Sequence, residues 1–198
     1  MTDPIIPQLK AGIRCEMRAR MASVEPGARA GLSRQACELM LQQSVWQEAQ
    51  TVMLFSPLPD EIDVSLLIRA ALSAEKTVCL PRFNKERSQY EAAAIQNLTS
   101  DLTPGKMGIA EPSRSCRSIP LNLLDFCLAS GVAFDVGGRR LGRGWGYYDR
   151  IFDAMKGIKC GAAWDEQILT SIPVEPHDQL LDLILTPTRW IVAGAKSA

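Results

Sequence analysis

The chain has 198 residues, with 22 basic and 22 acidic side chains and a formal net charge of zero. Its hydrophobic fraction of 46% is typical of a globular protein, and we expect one domain spanning residues 1–198. The balanced charge argues against a nucleic-acid partner, and no apolar run approaches the ~18 residues that a membrane span requires.

The cysteines and the first residues predict the compartment. Six cysteines form no C-x-x-C pair and are accompanied by a single histidine, so a zinc site is not expected. Scattered cysteines in apolar stretches predict buried thiols in a reducing compartment. The N-terminal stretch MTDPIIPQLK lacks the pattern of a secretory signal. We therefore expect a cytoplasmic protein without membrane partners. A monomer is expected as well, although no sequence pattern determines the oligomeric state.

Two amphipathic helices are predicted at the start of the chain. Four apolar residues recur every four positions and predict the buried face of the first helix: Leu9, Ile13, Met17 and Met21. Lys10 and Arg14 lie one turn apart on the adjoining face. The pair could bind one anion together, or it could belong to an ordinary solvated face. A second helix is predicted over residues 28–43.

The period then changes to short apolar runs that suit strands buried on both faces. Residues 51–55 and 77–81 flank a predicted helix and form a βαβ unit, which predicts parallel pairing. Further strands are predicted at 89–95, 123–131, 159–164, 181–186 and 189–194, and a helix at 147–156. The stretch 102–120 is predicted to be a loop. The pattern predicts an α/β fold with a single doubly wound, mostly parallel sheet flanked by helices and an N-terminal helical portion.

A glycine-rich stretch, RRLGRGWGYYDR at 139–150, lies between a predicted strand and a predicted helix. Ligands of open α/β sheets bind at the carboxyl ends of strands, and backbone N–H groups at a helix start suit an anion. Its G-x-G-x-G spacing matches neither of the common phosphate-binding fingerprints, so a flexible turn is the alternative. Several arginines in the stretch supply planar donors suited to phosphate.

Three further residues are candidates for a site. Asp149 could ligate a magnesium ion that bridges phosphates, or it could stabilise the dipole of the following helix. Glu61 follows the first strand and could bind a flat ring with adjacent N–H groups, such as a pterin; the alternative is a surface charge. His177, the only histidine, is expected to be structural.

Together these pieces resemble the 5-formyltetrahydrofolate cyclo-ligase family over most of the chain. The motifs stand in the family's order: the Lys10/Arg14 helix, Phe55 to Glu61, LPR at 80–82, GIAEP at 108–112, GVAFDVGGRRLGRGWGYYDR at 131–150 and DEQILTSIPVEPHD at 165–178. The resemblance implies ATP- and Mg²⁺-dependent closure of 5-formyltetrahydrofolate to 5,10-methenyltetrahydrofolate. The formyl oxygen would be phosphorylated first, and ADP and phosphate would be released.

The resemblance also implies roles for individual residues. ATP would be bound by Lys10, Arg14, Arg140, Gly142, Gly144, Gly146 and Tyr148. The folate would contact Phe55, Ser56, Glu61, Trp145 and Tyr147. The catalytic side chains would be Arg143, Tyr147 and Arg150. Magnesium would be ligated by Asp149 and Asp178, with Asp182 as a substitute for Asp178.

Trp145 departs from the family loop, which carries glycine or lysine at this position. A flat indole between two glycines could cover the folate as a lid. If the position required a positive φ, the strain would favour a second hypothesis, a folate- or nucleotide-binding relative with weak catalysis. A third hypothesis, a sugar-phosphate isomerase, would need neither ATP nor folate. Ser130 stands where many members have proline, a change expected to be minor.

Overall fold

The computed structural model describes residues 5–22, 25–105 and 108–195. These residues form the helices α1 (Ile5–Ala22), α2 (Pro26–Leu41), α3 (Ser44–Glu48), α4 (Ser65–Ser73) and α5 (Tyr147–Ala154). The strands are β1 (Thr51–Met53), β2 (Thr77–Asn84), β3 (Gln89–Ile95), β4 (Leu102–Pro104), β5 (Ala110–Pro112), β6 (Ser118–Ile119), β7 (Phe126–Ser130), β8 (Ala133–Asp135), β9 (Arg140–Leu141), β10 (Ile158–Ala162), β11 (Ile168–Leu169), β12 (Leu183–Leu185) and β13 (Trp190–Val192). None of these described helices combines the length and hydropathy needed to cross a bilayer.

An eight-stranded sheet forms the centre, in the order β13-β12-β10-β7-β1-β2-β3-β6. The neighbours from β12 to β2 pair in parallel. The edges are antiparallel, because β13 pairs with β12 and β3 pairs with β2 in opposite directions. The predicted βαβ unit is present as β1, α4 and β2. The predicted α/β class with a mostly parallel sheet is confirmed.

The sheet is buried on both faces. Val52 and Phe126 point into a core that also contains residues of α1, α2 and α4. Their neighbours along the strands, Met53 and Cys127, belong to a second core that includes Phe152 of α5. Because successive side chains of a strand face opposite sides, a strand covered by helices on both faces needs apolar residues at nearly every position. This burial explains the continuous apolar runs in the sequence.

Helix α1 departs from its predicted buried face in its first half. Met17 and Met21 are buried as predicted, but Leu9 is 51% exposed and Lys10 only 6% exposed. The cause is a pair of salt bridges. The Lys10 ammonium lies between the carboxylates of Glu175 and Asp178, and this contact orients the helix. The prediction that Leu9 is buried was wrong.

The stretch predicted as a loop contains short strands. β4 and β5 pair as an antiparallel hairpin, and β6 adds to the edge of the main sheet beside β3. A separate small sheet in the order β11-β8-β9 carries the start of the glycine-rich stretch. Strands of two or three residues are too short to show a period, so the sequence pattern did not reveal them.

Candidate active site

A cleft of about 280 Å³ opens at the carboxyl ends of the central strands. Phe55 and Ser56 follow β1, Ser130 ends β7 and Gly131 follows it, and all four line the cleft. From β1 the chain winds towards β2, whereas from β7 it winds in the opposite direction towards β10 and β12. The cleft therefore lies where the strand order reverses, which is the usual ligand position in a doubly wound sheet.

The glycine-rich loop forms one wall between β9 and α5. Gly144 and Gly146 adopt left-handed conformations, with φ of 104° and 63°. Trp145 between them does not, because Glu75 and Ser88 are the described non-glycine residues with positive φ. The strain that would have favoured a weakly active relative is therefore absent at this position. Arg14 donates from Nε to the carbonyl oxygen of Gly142 at 2.9 Å and ties the loop to α1.

Lys10 joins α1 to the segment before β12. Its Nζ donates to Glu175 at 2.9 Å and to Asp178 at 2.5 Å, and its side chain is 7% exposed. Burial lowers the pKa of Lys10, but hydrogen bonds with Asp178 and Glu175 and their charges outweigh burial, so the pKa lies above 10.5. His177 lies beside them, with Nε2 3.7 Å from Asp178 Oδ1. Lys10 is therefore a cleft residue and not part of a solvated face.

Arg140 is a second buried cation of the cleft, with a side chain that is 3% exposed. It donates from Nη2 to Asp149 Oδ2 at 3.2 Å and from Nη1 to the carbonyl oxygen of Ser130 at 3.3 Å. Its guanidinium lies 5.1 Å from the ring centroid of Tyr148, a geometry that suits a cation–π contact. Its Nε is buried and has no hydrogen-bond partner among the described residues. A buried donor without an acceptor is costly, and other parts of the Arg140 side chain line the cleft.

Arg143 connects the glycine-rich loop to the loop that follows β1. Its Nη2 donates to both carboxylate oxygens of Asp60 at 3.0 Å and to Glu61 Oε1 at 3.2 Å. Burial lowers the pKa of Arg143, but the hydrogen bond with Asp60 and the charges of Glu61 and Asp60 raise it overall. The Glu61 side chain is only 9% exposed, so the surface-charge alternative for this residue was wrong.

Aromatic side chains cover the other part of the cleft. The rings of Trp145 and Tyr147 are parallel within 2°, with centroids 6.2 Å apart, and Trp145 is 57% exposed. Tyr90 packs edge-on against Tyr147 at 4.4 Å. Burial, with the charge of Glu111 and a hydrogen bond to it, raises the pKa of Tyr90 to about 12. Sequence reasoning gave Tyr90 and Glu111 no role, although Glu111 lies in the GIAEP motif and both line the cleft.

The structure brings the predicted site residues together with one exception. Arg150 lies outside the cleft lining, where its Nη2 donates to the Trp145 carbonyl oxygen at 3.3 Å and its guanidinium lies over Tyr147 at 5.3 Å. Asp182 also lies outside the lining and accepts the backbone N–H of Lys159 at 2.8 Å. Of the two candidate aspartates, the cleft therefore contains Asp178. The remaining predicted residues all line the cleft: Lys10, Arg14, Phe55, Ser56, Glu61, Arg140, Gly142, Arg143, Gly144, Trp145, Gly146, Tyr147, Tyr148, Asp149 and Asp178.

A cleft with paired cations and carboxylates at the switch point of a doubly wound sheet is typical of the ligand-binding α/β proteins. The chain belongs to the 5-formyltetrahydrofolate cyclo-ligase family, whose model matches residues 7–187. The predicted family and the prediction of a ligase are thereby confirmed.

Similar proteins agree with this family. The 5-formyltetrahydrofolate cyclo-ligase of Escherichia coli (strain K12) is 30% identical over 177 residues, which cover 87% of this chain and 97% of that relative. The Mus musculus cyclo-ligase is 26% identical over 201 residues, covering 93% and 97% of the two chains. The NMR structure of Aquifex aeolicus 5,10-methenyltetrahydrofolate synthetase matches with a TM-score of 0.85 at 26% identity, covering 96% of this chain and 95% of that one.

Proposed function

We propose that this enzyme closes 5-formyltetrahydrofolate to 5,10-methenyltetrahydrofolate with consumption of ATP and a requirement for Mg²⁺. The family and the relatives support the cyclo-ligase activity. The observation that carries the ATP and Mg²⁺ requirement is the arrangement of Lys10, Arg140 and Arg143, each of which contacts a carboxylate of the same cleft. Phosphoryl transfer needs cations for the phosphates and hard oxygen ligands for the metal, and both are adjacent here.

The nucleotide is assigned to the half of the cleft between α1 and the glycine-rich loop. Arg140 lines this half of the cleft and supplies a guanidinium charge that suits phosphate. At Gly144 an added Cβ would meet nothing closer than Arg14 at 3.8 Å, so the backbone there stays open to a ligand. These observations fit a polyphosphate. The proposed nucleotide contacts are Lys10, Arg14, Arg140, Gly142, Gly144, Gly146 and Tyr148.

The metal is assigned to Asp149 and Asp178. Both line the cleft, and carboxylate oxygens are the protein ligands that Mg²⁺ prefers. Ligand atoms of Glu175, His177 and Asp178 lie within 4.8 Å of one another, so this corner has the density of donor atoms that a cation requires. A bound Mg²⁺ would neutralise phosphate charge during the transfer. The two aspartates would hold that ion against the nucleotide half of the cleft.

The folate is assigned to the half lined by Phe55, Ser56, Glu61, Trp145 and Tyr147. Glu61 would accept N–H groups of the pterin ring, and the two parallel rings of the loop offer flat surfaces for stacking. Ser56 donates to the Ala110 carbonyl oxygen at 2.7 Å, which fixes this wall to the GIAEP segment.

Arg143 and Tyr147 lie in the cleft lining, where they would orient the formyl group and neutralise its developing charge. Transfer of a phosphoryl group makes the formyl oxygen a good leaving group, N10 then attacks the formyl carbon, and phosphate and the N10 proton depart. Positioning and charge neutralisation carry most of such a reaction. Arg150 would act from outside, because it holds the Trp145 carbonyl oxygen and packs on Tyr147.

An absorbance assay for the methenyl product tests this proposal. Purified protein with 5-formyltetrahydrofolate should form product only when ATP and Mg²⁺ are both present. Asp149→Asn should lower kcat by about 100-fold or more, in the range found when a group that stabilises transition-state charge is removed. Asp153→Asn, on the exposed side of the same helix, should leave activity unchanged. Tight folate binding without product would contradict the proposal and favour a non-catalytic relative.

We also propose a cytoplasmic monomer that acts without a nucleic-acid partner. All six cysteines lie within the described residues and are unpaired, which suits a reducing compartment. Equal numbers of basic and acidic residues give no general attraction to nucleic acid. Light scattering during size-exclusion chromatography should give a mass near 21.7 kDa, and twice that mass would contradict the monomer.

A further inference from the structure

Arg143 is bound by two carboxylates, and the proposed function needs one of them, that of Glu61, for the pterin. Its Nη2 donates to Asp60 at 3.0 Å and to Glu61 at 3.2 Å. Arg143 belongs to the loop assigned to the nucleotide, whereas Glu61 belongs to the loop assigned to the pterin. One guanidinium therefore connects the two halves of the cleft.

Both carboxylate oxygens of Glu61 already accept a hydrogen bond, which occupies about half of the acceptor positions of the group. Its Oε1 accepts from Arg143, and its Oε2 accepts the backbone N–H of Leu58 at 3.1 Å. The side chain is 9% exposed, so water has little access to either oxygen. A ring that donates N–H groups to Glu61 must therefore share this carboxylate with the guanidinium or replace it.

Asp60 keeps Arg143 in this position. Its carbonyl oxygen accepts Nε1–H of Trp164 at 2.8 Å, and Trp164 is a core residue with 1% exposure. The Asp60 backbone is therefore fixed, and its carboxylate binds the guanidinium through both oxygens. Arg143 itself is a long side chain that is 40% exposed, so it can turn towards an anion at the glycine-rich loop without disturbing the core.

We propose that Arg143 couples the two ligand sites, and that Asp60 is the positioning residue that holds it on Glu61 until a nucleotide binds. The inference rests on the proposed function. Nucleotide phosphates compete for the guanidinium, because Arg forms strong paired hydrogen bonds with phosphate oxygens. Glu61 is then released to accept the N–H groups of the pterin. Nucleotide binding thus tightens folate binding, and by linkage the folate tightens nucleotide binding by the same factor.

The test measures the equilibrium binding of 5-formyltetrahydrofolate by titration calorimetry. The measurement is made with and without a saturating non-hydrolysable ATP analogue and Mg²⁺. In the wild type the analogue should lower the folate Kd about tenfold, a coupling of ordinary size. Arg143→Gln should bind folate without nucleotide about as tightly as the wild type does with the analogue, and the coupling factor should fall below about two. Asp60→Asn should shift the nucleotide-free Kd in the same direction by a smaller factor.

A matched control is available in Arg189→Gln. Arg189 pairs with Asp165 at 2.8 Å and is 44% exposed, close to Arg143 in geometry and exposure, but it lies outside the cleft lining. This variant should bind both ligands like the wild type. Independent binding in the wild type, or unchanged nucleotide-free folate affinity in both folded cleft variants, would overturn the coupling. Failure of the wild type to bind the analogue or the folate at all would instead refute the proposed function.

Discussion

Replacing Lys10 by methionine should destabilise the ligand-free protein. Methionine keeps an unbranched side chain but removes the ammonium shared by Glu175 and Asp178. These two carboxylates are 15% and 14% exposed, so two like charges would remain close together with little water. Breaking a buried ion pair by removing one partner costs about 3–5 kcal/mol. The partial exposure of this site places the expected loss at the lower end, about 3 kcal/mol.

Urea unfolding at pH 7.5, followed by circular dichroism, measures this loss. For a chain of this length, about 3 kcal/mol corresponds to a decrease in Tm of about 6–12 °C. Lys85→Met is the control, because Lys85 is exposed in the turn between β2 and β3. Its free energy of unfolding should stay within about 0.5 kcal/mol of the wild type, as for most surface substitutions.

A second substitution separates charge from packing. Glu175→Gln added to Lys10→Met should restore part of the lost stability, because it removes one of the two facing charges. A Lys10→Met variant within about 1 kcal/mol of the wild type would refute the reasoning, since single mutations at such sites ordinarily cost more. A double variant without any recovery would show that lost packing, and not uncompensated charge, causes the destabilisation.

Three further outcomes are expected. Because the pKa of Lys10 is raised, its ion pairs should contribute their full stability from neutral pH up to about pH 10.5, and this contribution should be lost as the pH rises through the raised pKa. Urea unfolding should show the free energies of unfolding of the wild type and Lys10→Met converging as that happens. Exposed Cys15 should react with a thiol reagent at pH 8 in the native protein. Burial raises the pKa of Cys79 and of Cys127 to about 12, so these two thiols should react only when the protein unfolds. Labelling of either buried thiol in the native protein would contradict the fold. Trp145→Gly should raise the KM for folate more than the KM for ATP, and the reverse pattern would assign the indole to the nucleotide side.

The sequence predicted best those strands and helices whose hydrophobic pattern is complete within a single segment. Strands β1, β2 and β7 each contain an apolar run that is buried on both faces, at residues 52–53, 78–80 and 126–129, so the pattern is visible locally. The hairpin of β4 and β5 has three residues on each side, too few for a period. Its formation depends on pairing with a partner strand and not on its own composition.

The site was predicted as a set of residues but not as a set of contacts. The glycine-rich stretch could be recognised as a candidate ligand site because its residues are contiguous and lie between a strand and a helix, although its spacing matches neither common phosphate-binding fingerprint. Lys10 and Asp178 are 168 positions apart, and Arg143 and Glu61 are 82 apart, so no spacing rule reveals either pair. For the same reason the apolar period predicted a buried Leu9, whereas Lys10 is the buried residue. Such contacts are created by the topology that folds distant loops onto one edge of the sheet.

The paired charges of the cleft have a consequence for the rate at which ligands arrive. Among the described residues its lining carries four cationic side chains, Lys10, Arg14, Arg140 and Arg143, and five carboxylates, Glu61, Glu111, Asp149, Glu175 and Asp178. Beyond a Debye length of about 8–10 Å their fields largely cancel, so an approaching polyanion is not steered electrostatically.

Association should then depend only weakly on ionic strength, and small anions such as inorganic phosphate should not accumulate in the empty cleft. A ligand that carries its own divalent cation separates the ion pairs of the cleft but offers both members a new partner. Its anionic groups bind the basic side chains, and its cation binds the acidic ones. A bare anion offers a partner only to the basic ones.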